Sequence, residues 1–242
     1  MKILVLIFVF LIQISVGYAQ NSIDDFYPIA IRKVDLSAKK SDEINRQNQL
    51  LSKENLTKNE EKELNLLLEK YGETVSSIWD VIDGGCSWYC GGGNYKIKAS
   101  SVLNEGNGVN YQAENANDLS YQTAWVEGKQ DEGIGEFLEY YFKNDSPRIT
   151  KIIISNGYMK NDNAWKNNNR VKKLKLSVNG KVKGVLNLED SKTDQVFELG
   201  TFGHNKNGSD LILKFEIVSV YKGEKFNDTA ISEIYFDGID VH

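Results

Sequence analysis

Val171-Lys172-Lys173-Leu174-Lys175-Leu176-Ser177-Val178-Asn179-Gly180-Lys181 is the stretch that decides the fold class. Leu174, Leu176 and Val178 alternate with Lys173, Lys175 and Ser177, a period of two that puts apolar side chains on one face of a strand and polar ones on the other. Asn179-Gly180 tolerates the positive φ angles of a type I′ turn, so the chain doubles back at Lys181 as an antiparallel hairpin. The same period recurs outward from it. Tyr95, Ile97 and Ala99 alternate with Lys96 and Lys98, and Leu138, Tyr140 and Phe142 with Glu139 and Tyr141. Further strands are read at 149–155, 183–188, 195–199, 211–221 and 231–236. Many short strands with no helices between them specify a mainly β protein, an antiparallel β-sandwich of jelly-roll type, and exclude an α/β fold.

Upstream the composition changes. Residues 34–75 hold almost no Gly or aromatic residue and are dense in Leu, Lys, Glu and Asn, which reads as helix. Thr57-Lys58-Asn59-Glu60 forms a capping box; Leu64, Leu67, Leu68 and Tyr71 follow helical spacing, and Gly72 ends the helix. An earlier helix around 42–51 carries only Ile44 and Leu51 on an apolar stripe. The first nineteen residues have a different character. Lys2 precedes the apolar run 3–16, too short for a comfortable membrane span, and Gly17-Tyr18-Ala19 offers small residues for a signal peptidase. The expected organisation is a signal peptide over 1–19, cleaved near Ala19, a helical N-terminal segment over 20–83 and a β-sandwich domain over 84–242. The mature protein is expected to be secreted or periplasmic, with no membrane insertion, and its N-terminal helices are open to a protein partner.

Charge and composition narrow the function. With 29 Lys and Arg against 34 Asp and Glu, a net charge of −5 gives no global attraction to nucleic acid. Only His204 and His242 are present, which leaves neither a multi-histidine zinc site nor a recognisable catalytic triad. Cys86 and Cys90 flank Ser87-Trp88-Tyr89 in a glycine-bordered loop. In an exported protein they read as a local disulfide, since the spacing is not that of a redox motif.

The motifs Ala99-Ser100-Ser101-Val102-Leu103 and Asn115-x-x-Asp118-x-x-x-x-Thr123-Ala124-Trp125 resemble the opening of a discoidin, or factor V/VIII type C, domain, the galactose-binding-like jelly roll. Trp125-Val126-Glu127-Gly128, Gly133-Ile134-Gly135-Glu136, Asn156-Gly157-Tyr158, Asn169-Arg170-Val171-Lys172, and Val220-Tyr221-x-Gly223 through Ile231-Ser232-Glu233-Ile234 look like the translocation domain of bacterial NAD glycohydrolase, also called the NADase-type glycan-binding domain. The resemblance covers about residues 84–238. It implies a carbohydrate ligand without the glycohydrolase activity, because residues 20–83 are too few and too helical to hold a nucleotide-cleaving domain. It also implies a structural calcium ion held by Asn115, Asp118, Ser120, Thr123 and Glu233, and no organic cofactor. Those residues suit a hard cation in their own right, mixing carboxylate, hydroxyl and carbonyl oxygens on a tight turn; the alternative is an Asx-turn in which Asp118 only accepts hydrogen bonds from the backbone.

A sugar presents hydroxyls to forked hydrogen-bonding groups and an apolar C–H face to an aromatic ring. The loop after the strand at 149–155 supplies such a set in Tyr158, Trp165, Asn169 and Arg170, and the loop from Tyr221 to Asp228 a second, with Phe226. Glu127 adds a carboxylate. The expected function is a secreted, non-catalytic glycan-binding module, with a protein-interaction or adhesion module on the same loops as the alternative. A glycoside hydrolase is the weaker third, because Glu127, Asp131, Glu132, Glu136 and Glu139 read as a turn and the polar face of a strand. Trp125 reads as core.

Overall fold

The computed structural model describes residues 23–34, 38–72, 79, 82, 88–93, 95–106 and 108–240. The expected signal peptide and Cys86 lie outside the described residues, as does the side chain of Cys90.

Eleven strands form the body: β1 (Asp25–Phe26), β2 (Ala30–Lys33), β3 (Lys96–Ala99), β4 (Trp125–Val126), β5 (Phe137–Phe142), β6 (Ile149–Asn156), β7 (Asn169–Val178), β8 (Lys181–Asn187), β9 (Thr193–Phe202), β10 (Leu211–Tyr221) and β11 (Thr229–Gly238). Their order is β2-β9-β6-β11-β7-β10-β5-β3, with β8 on β7, β1 on β8 and β4 on β11. The path turns a corner where Thr229 and Ala230 of β11 pair, in parallel, with Asn169 and Arg170 of β7. On either side of that corner β9-β6-β11 and β7-β10-β5 face each other as the two layers of a sandwich. The ring of Phe236 in β11 packs edge-on against Tyr140 and Phe142 of β5, with centroids 5.0 and 5.1 Å apart. Ile152, Ile154, Phe197, Leu174, Leu176, Leu213 and Phe215 complete the buried interior.

The strands inferred from alternation are all present. In the β7–β8 hairpin Val178 opposes Lys181, and Asn179 and Gly180 take φ of 48° and 78°, as a type I′ turn requires. Trp125 is wholly buried and donates its indole N–H to Ser101 O at 3.0 Å. Trp88 is equally buried, donating to Pro147 O at 2.9 Å.

The segment read as helical is more than helix. Helices α1 (Ala38–Leu51) and α2 (Lys58–Tyr71) form, the second behind a complete Thr57–Glu60 capping box. α1 begins at Ala38, ahead of its sparse apolar stripe, and α2 holds its middle through polar contacts. Arg46 forks onto Glu63 at 2.9 and 2.8 Å, Lys70 and Tyr71 reach Glu43, and Gln47 Nε2 donates to Gly72 O at 2.7 Å. Leu50, not Leu51, is the buried leucine. Before the helices, β1 pairs in parallel with β8 and β2 antiparallel with β9, so the sheet begins well ahead of residue 84. Neither strand was legible: one is two residues long, and the other, Ala-Ile-Arg-Lys, does not alternate.

Candidate functional site

The connections after β3, after β6 and between β10 and β11 meet β4 at one end of the sandwich. They enclose a concavity of about 280 Å³ lined by Leu103, Tyr111, Val126, Tyr158, Ala164, Asn168, Phe226 and Asp228. Tyr158 forms its base: it is buried, packs edge-on against Tyr111 at 6.4 Å and points its hydroxyl at Gln122 O, 3.3 Å away. Burial raises the Tyr158 pKa, so the phenol is a neutral donor. Phe226 is the exposed ring, 42% accessible. Asp228 and Asn168 supply hydrogen-bonding groups, and burial raises the Asp228 pKa as well. Tyr111 was missed by the sequence reading. Its only signal is an aromatic residue directly after the Gly- and Asn-rich stretch 104–110, with no strand period to mark it.

The remaining sugar-binding candidates are placed differently. Arg170 is 7% exposed and its guanidinium is engaged all round. Nε and Nη2 donate to Asp190 at 2.7 and 3.1 Å, Nη1 to Trp165 O and Asn168 O at 3.3 and 3.0 Å, and Nη2 also to Lys222 O at 3.3 Å. With its fork occupied, Arg170 fastens loops together and has no free edge for a hydroxyl. Trp165 stacks on it, 4.5 Å from guanidinium carbon to ring centre, and donates to Asn156 O. The turn that brings them together needs Gly157: φ is +82°, and a Cβ there would stand 2.5 Å from Arg170 Cγ. Asn169 is wholly buried, donating to Asn227 O and accepting from Gly223 N at 2.7 Å. Glu127 is buried too. Its oxygens accept from the amides of Lys129 and Thr229 at 2.7 and 3.1 Å, and burial pushes its pKa up. Tyr221 is half-buried, its hydroxyl on Leu188 O at 3.0 Å. Arg170, Asn169 and Glu127 thus build the site's frame instead of lining it, a distinction that residue type cannot reveal.

The other acidic residues stay apart: Glu136 accepts from Ser100 and Ser101, Glu139 from Tyr141, Asp131 from the Gly133 amide, and Glu132 pairs with Lys222.

The oxygen cluster does assemble in part. Glu233 of β11 is fully buried on the outer face of the sheet, beneath the turn 118–121. Its Oε1 accepts from Ser120 N at 2.8 Å, its Oε2 accepts no hydrogen bond of ordinary geometry, and the Tyr235 and Asp118 side chains stand beside it; Asp118 Oδ1 also accepts from Ser120 N at 3.0 Å, an Asx-turn. Thr123 Oγ1 donates to Asp118 Oδ2 at 2.7 Å and to Ser120 O at 3.1 Å. No described Lys or Arg pairs with either carboxylate, so burial and the neighbouring Asp118 drive the Glu233 pKa well up. An orphaned buried carboxylate oxygen beside a second carboxylate, a hydroxyl and a main-chain carbonyl is an oxygen-only donor set that suits a hard cation. Asn115 is set off from it. Its amide donates to Asn110 and to Ala124 O at 3.2 Å, and no hydrogen bond joins it to Asp118 or Glu233. Among the described residues no group of three or more His, Cys, Asp or Glu converges.

The family model for the NAD glycohydrolase translocation F5/8 type C domain matches residues 88–237, spanning β3 to β11. The chain belongs to this family. No curated protein matches it in sequence. Among solved structures, the chain is similar to CpGH89CBM32-5 from Clostridium perfringens, solved in complex with GalNAc-beta-1,3-galactose. The two share 15% identity over 62% of this chain and 99% of that one, with a TM-score of 0.41. It is also similar to the CBM32-1 and CBM32-2 domains of C. perfringens ZmpB (13% identity, 84% and 58% coverage, TM-score 0.46) and to CBM32-3 from a family 31 glycoside hydrolase of the same species (16%, 62% and 94%, 0.42). The loop-end concavity and the Asp118–Glu233 cluster both fall inside the F5/8 type C domain. β1, β2 and the helical hairpin lie outside it. No helix among the described residues is long and apolar enough to cross a membrane.

Proposed function

We propose that this protein is an exported, non-catalytic glycan-binding module whose site is the loop-end concavity. The observation that carries the reading is the combination there of an exposed ring, Phe226, a fixed Tyr111–Tyr158 pair and the polar groups of Asn168 and Asp228 around about 280 Å³ of space. A pyranose stacks its C–H face on such a ring and offers hydroxyls to such groups. Arg170, Asn169 and Glu127 serve it by holding three loops in register. Trp165 packs on Arg170 behind it, and Tyr221 lies outside its lining. Calcium bound by Asp118 and Glu233, with oxygens from Thr123 and Ser120, ties the turn 118–123 to β11 and so steadies the loops from below. Cys86 and Cys90 are joined in the exported protein.

A glycan array probed with the purified protein tests the reading. Binding to a defined set of sugars that falls about tenfold or more in Phe226→Ala, with unchanged melting temperature, supports it. An array without hits, or hits indifferent to Phe226 and Tyr111, refutes the site. A secondary reading, a protein partner at the helical hairpin, is favoured by Leu51 and Leu66, which stand exposed on α1 and α2. Pull-down with the hairpin deleted separates the two.

A further inference from the structure

The N-terminal arm crosses from one layer of the sandwich to the other. Asp25 and Phe26 are fastened to β8, where Val185 N donates to Asp24 O at 2.8 Å, and Ile29 N donates to Val196 O of β9 at 2.8 Å. Between these anchors Tyr27 and Pro28 stand over the ends of β8 and β10 and close a second cleft, of about 340 Å³, with Lys172, Asn187, Leu188, Glu189 and Tyr221. Pinned on both sides and stiffened by Pro28, Tyr27 holds its place although its side chain is 66% exposed.

The lining indicates the ligand. Tyr27 and Tyr221 offer flat apolar walls, and the Tyr221 ring is fixed by its hydroxyl on Leu188 O. Lys172 and Glu189 are both exposed at the rim. Among the described residues neither forms an ion pair, and Lys172 Nζ lies 5.5 Å from the Tyr221 ring. An anionic ligand would meet Glu189 and a cationic one Lys172. A neutral, hydroxyl-rich ring with apolar faces satisfies both and covers the tyrosines. We infer that this cleft is a second carbohydrate site, for a neutral or N-acetylated pyranose, made by residues 27–28 outside the F5/8 type C domain together with the ends of β7, β8 and β10. Its ligand class rests on the glycan reading of the loop-end site, but its walls are independent of that site. The two share no lining residue but both adjoin the start of β7. Asn168 borders one and Lys172 the other, four residues or about 13 Å along the strand, and Arg170 between them binds both Asn168 O and Lys222 O.

The test is titration of ¹⁵N-labelled protein with galactose, N-acetylglucosamine, N-acetylgalactosamine, lactose and N,N′-diacetylchitobiose, following amide shifts. Shifts at Tyr27, Lys172, Leu188 and Tyr221 are expected, weakened about tenfold by Tyr27→Ala, which leaves shifts around Tyr111 and Phe226 unchanged. Shifts confined to Tyr111 and Phe226 overturn the second site and leave the first standing. Shifts confined to the cleft support it and remove the loop-end reading. Cleft shifts indifferent to Tyr27→Ala, or no shift at either place with any of the five sugars, overturn the proposal.

Discussion

Replacing Arg170 by Ala separates a framework residue from a ligand-binding one. In the structure the guanidinium makes two hydrogen bonds to Asp190 and three to the carbonyls of Trp165, Asn168 and Lys222, and it stacks under Trp165. Breaking a buried ion pair by removing one partner costs about 3–5 kcal/mol. Asp190 is 37% exposed and recovers water, which discounts the ionic part. Three carbonyls that lose a charged donor restore about 1 kcal/mol each. Together these give about 3–4 kcal/mol, or about 10 °C in melting temperature for a chain of this size. Urea unfolding followed by tryptophan fluorescence measures it directly. Arg170→Lys keeps the charge but not the fork, and is expected to recover less than half of the loss. If Arg170→Ala unfolds within about 0.5 kcal/mol of the parent while losing glycan binding, the guanidinium is a ligand contact and not a framework one.

Three further outcomes are expected. A Cβ at Gly184 would stand 2.3 Å from the Phe26 ring and 2.6 Å from Asp24 O, so Gly184→Ala displaces the arm at about 2 kcal/mol; hydrogen exchange at the Val185 amide should accelerate, and unchanged protection would refute the packing. Asp194 is buried, its carboxylate accepting from Ser155, Tyr121 and Trp79, and burial raises its pKa above the ordinary 3.8. Its native form therefore holds the proton more tightly than the unfolded chain, and stability falls as pH rises from about 3.8 through the native pKa; Asp194→Asn should flatten that slope in pH-dependent urea midpoints, and an unaltered slope would place its origin elsewhere. Calcium in excess over chelator should raise the melting temperature by mass action, and Asp118→Ala should abolish the difference; identical melting of the parent protein with and without calcium removes the ion.

The residues of the sandwich strands carry their own address. At 95–99, 138–142 and 173–178 apolar residues recur every second position and must face one side of a pleat, and Asn179-Gly180 favours a type I′ turn, so local chemistry already points to a β-sandwich with that hairpin. The Thr57–Glu60 cap and the stripe at Leu64, Leu67, Leu68 and Tyr71 are local in the same sense. Arg170, Asn169 and Glu127 were recognisable as polar residues at loop edges, but whether a guanidinium turns to a sugar or to three carbonyls depends on which loops meet there. Asp190, Lys222 and Asn168 lie far apart in the chain and converge only when β7, β8 and β10 pair. Asp118 and Glu233 were expected together, and their juxtaposition is equally a product of the fold, as the turn at 118–121 settles on β11. The N-terminal arm is the clearest case. Nothing in Asp25-Phe26 or Ala30-Lys33 marks a strand, because short segments gain their hydrogen bonds from edges that other strands have already made. Sequence determined the strands and their faces, through interactions spanning a few residues; tertiary structure decided which polar groups remained free at the surface, because each group's partners come from distant parts of the chain.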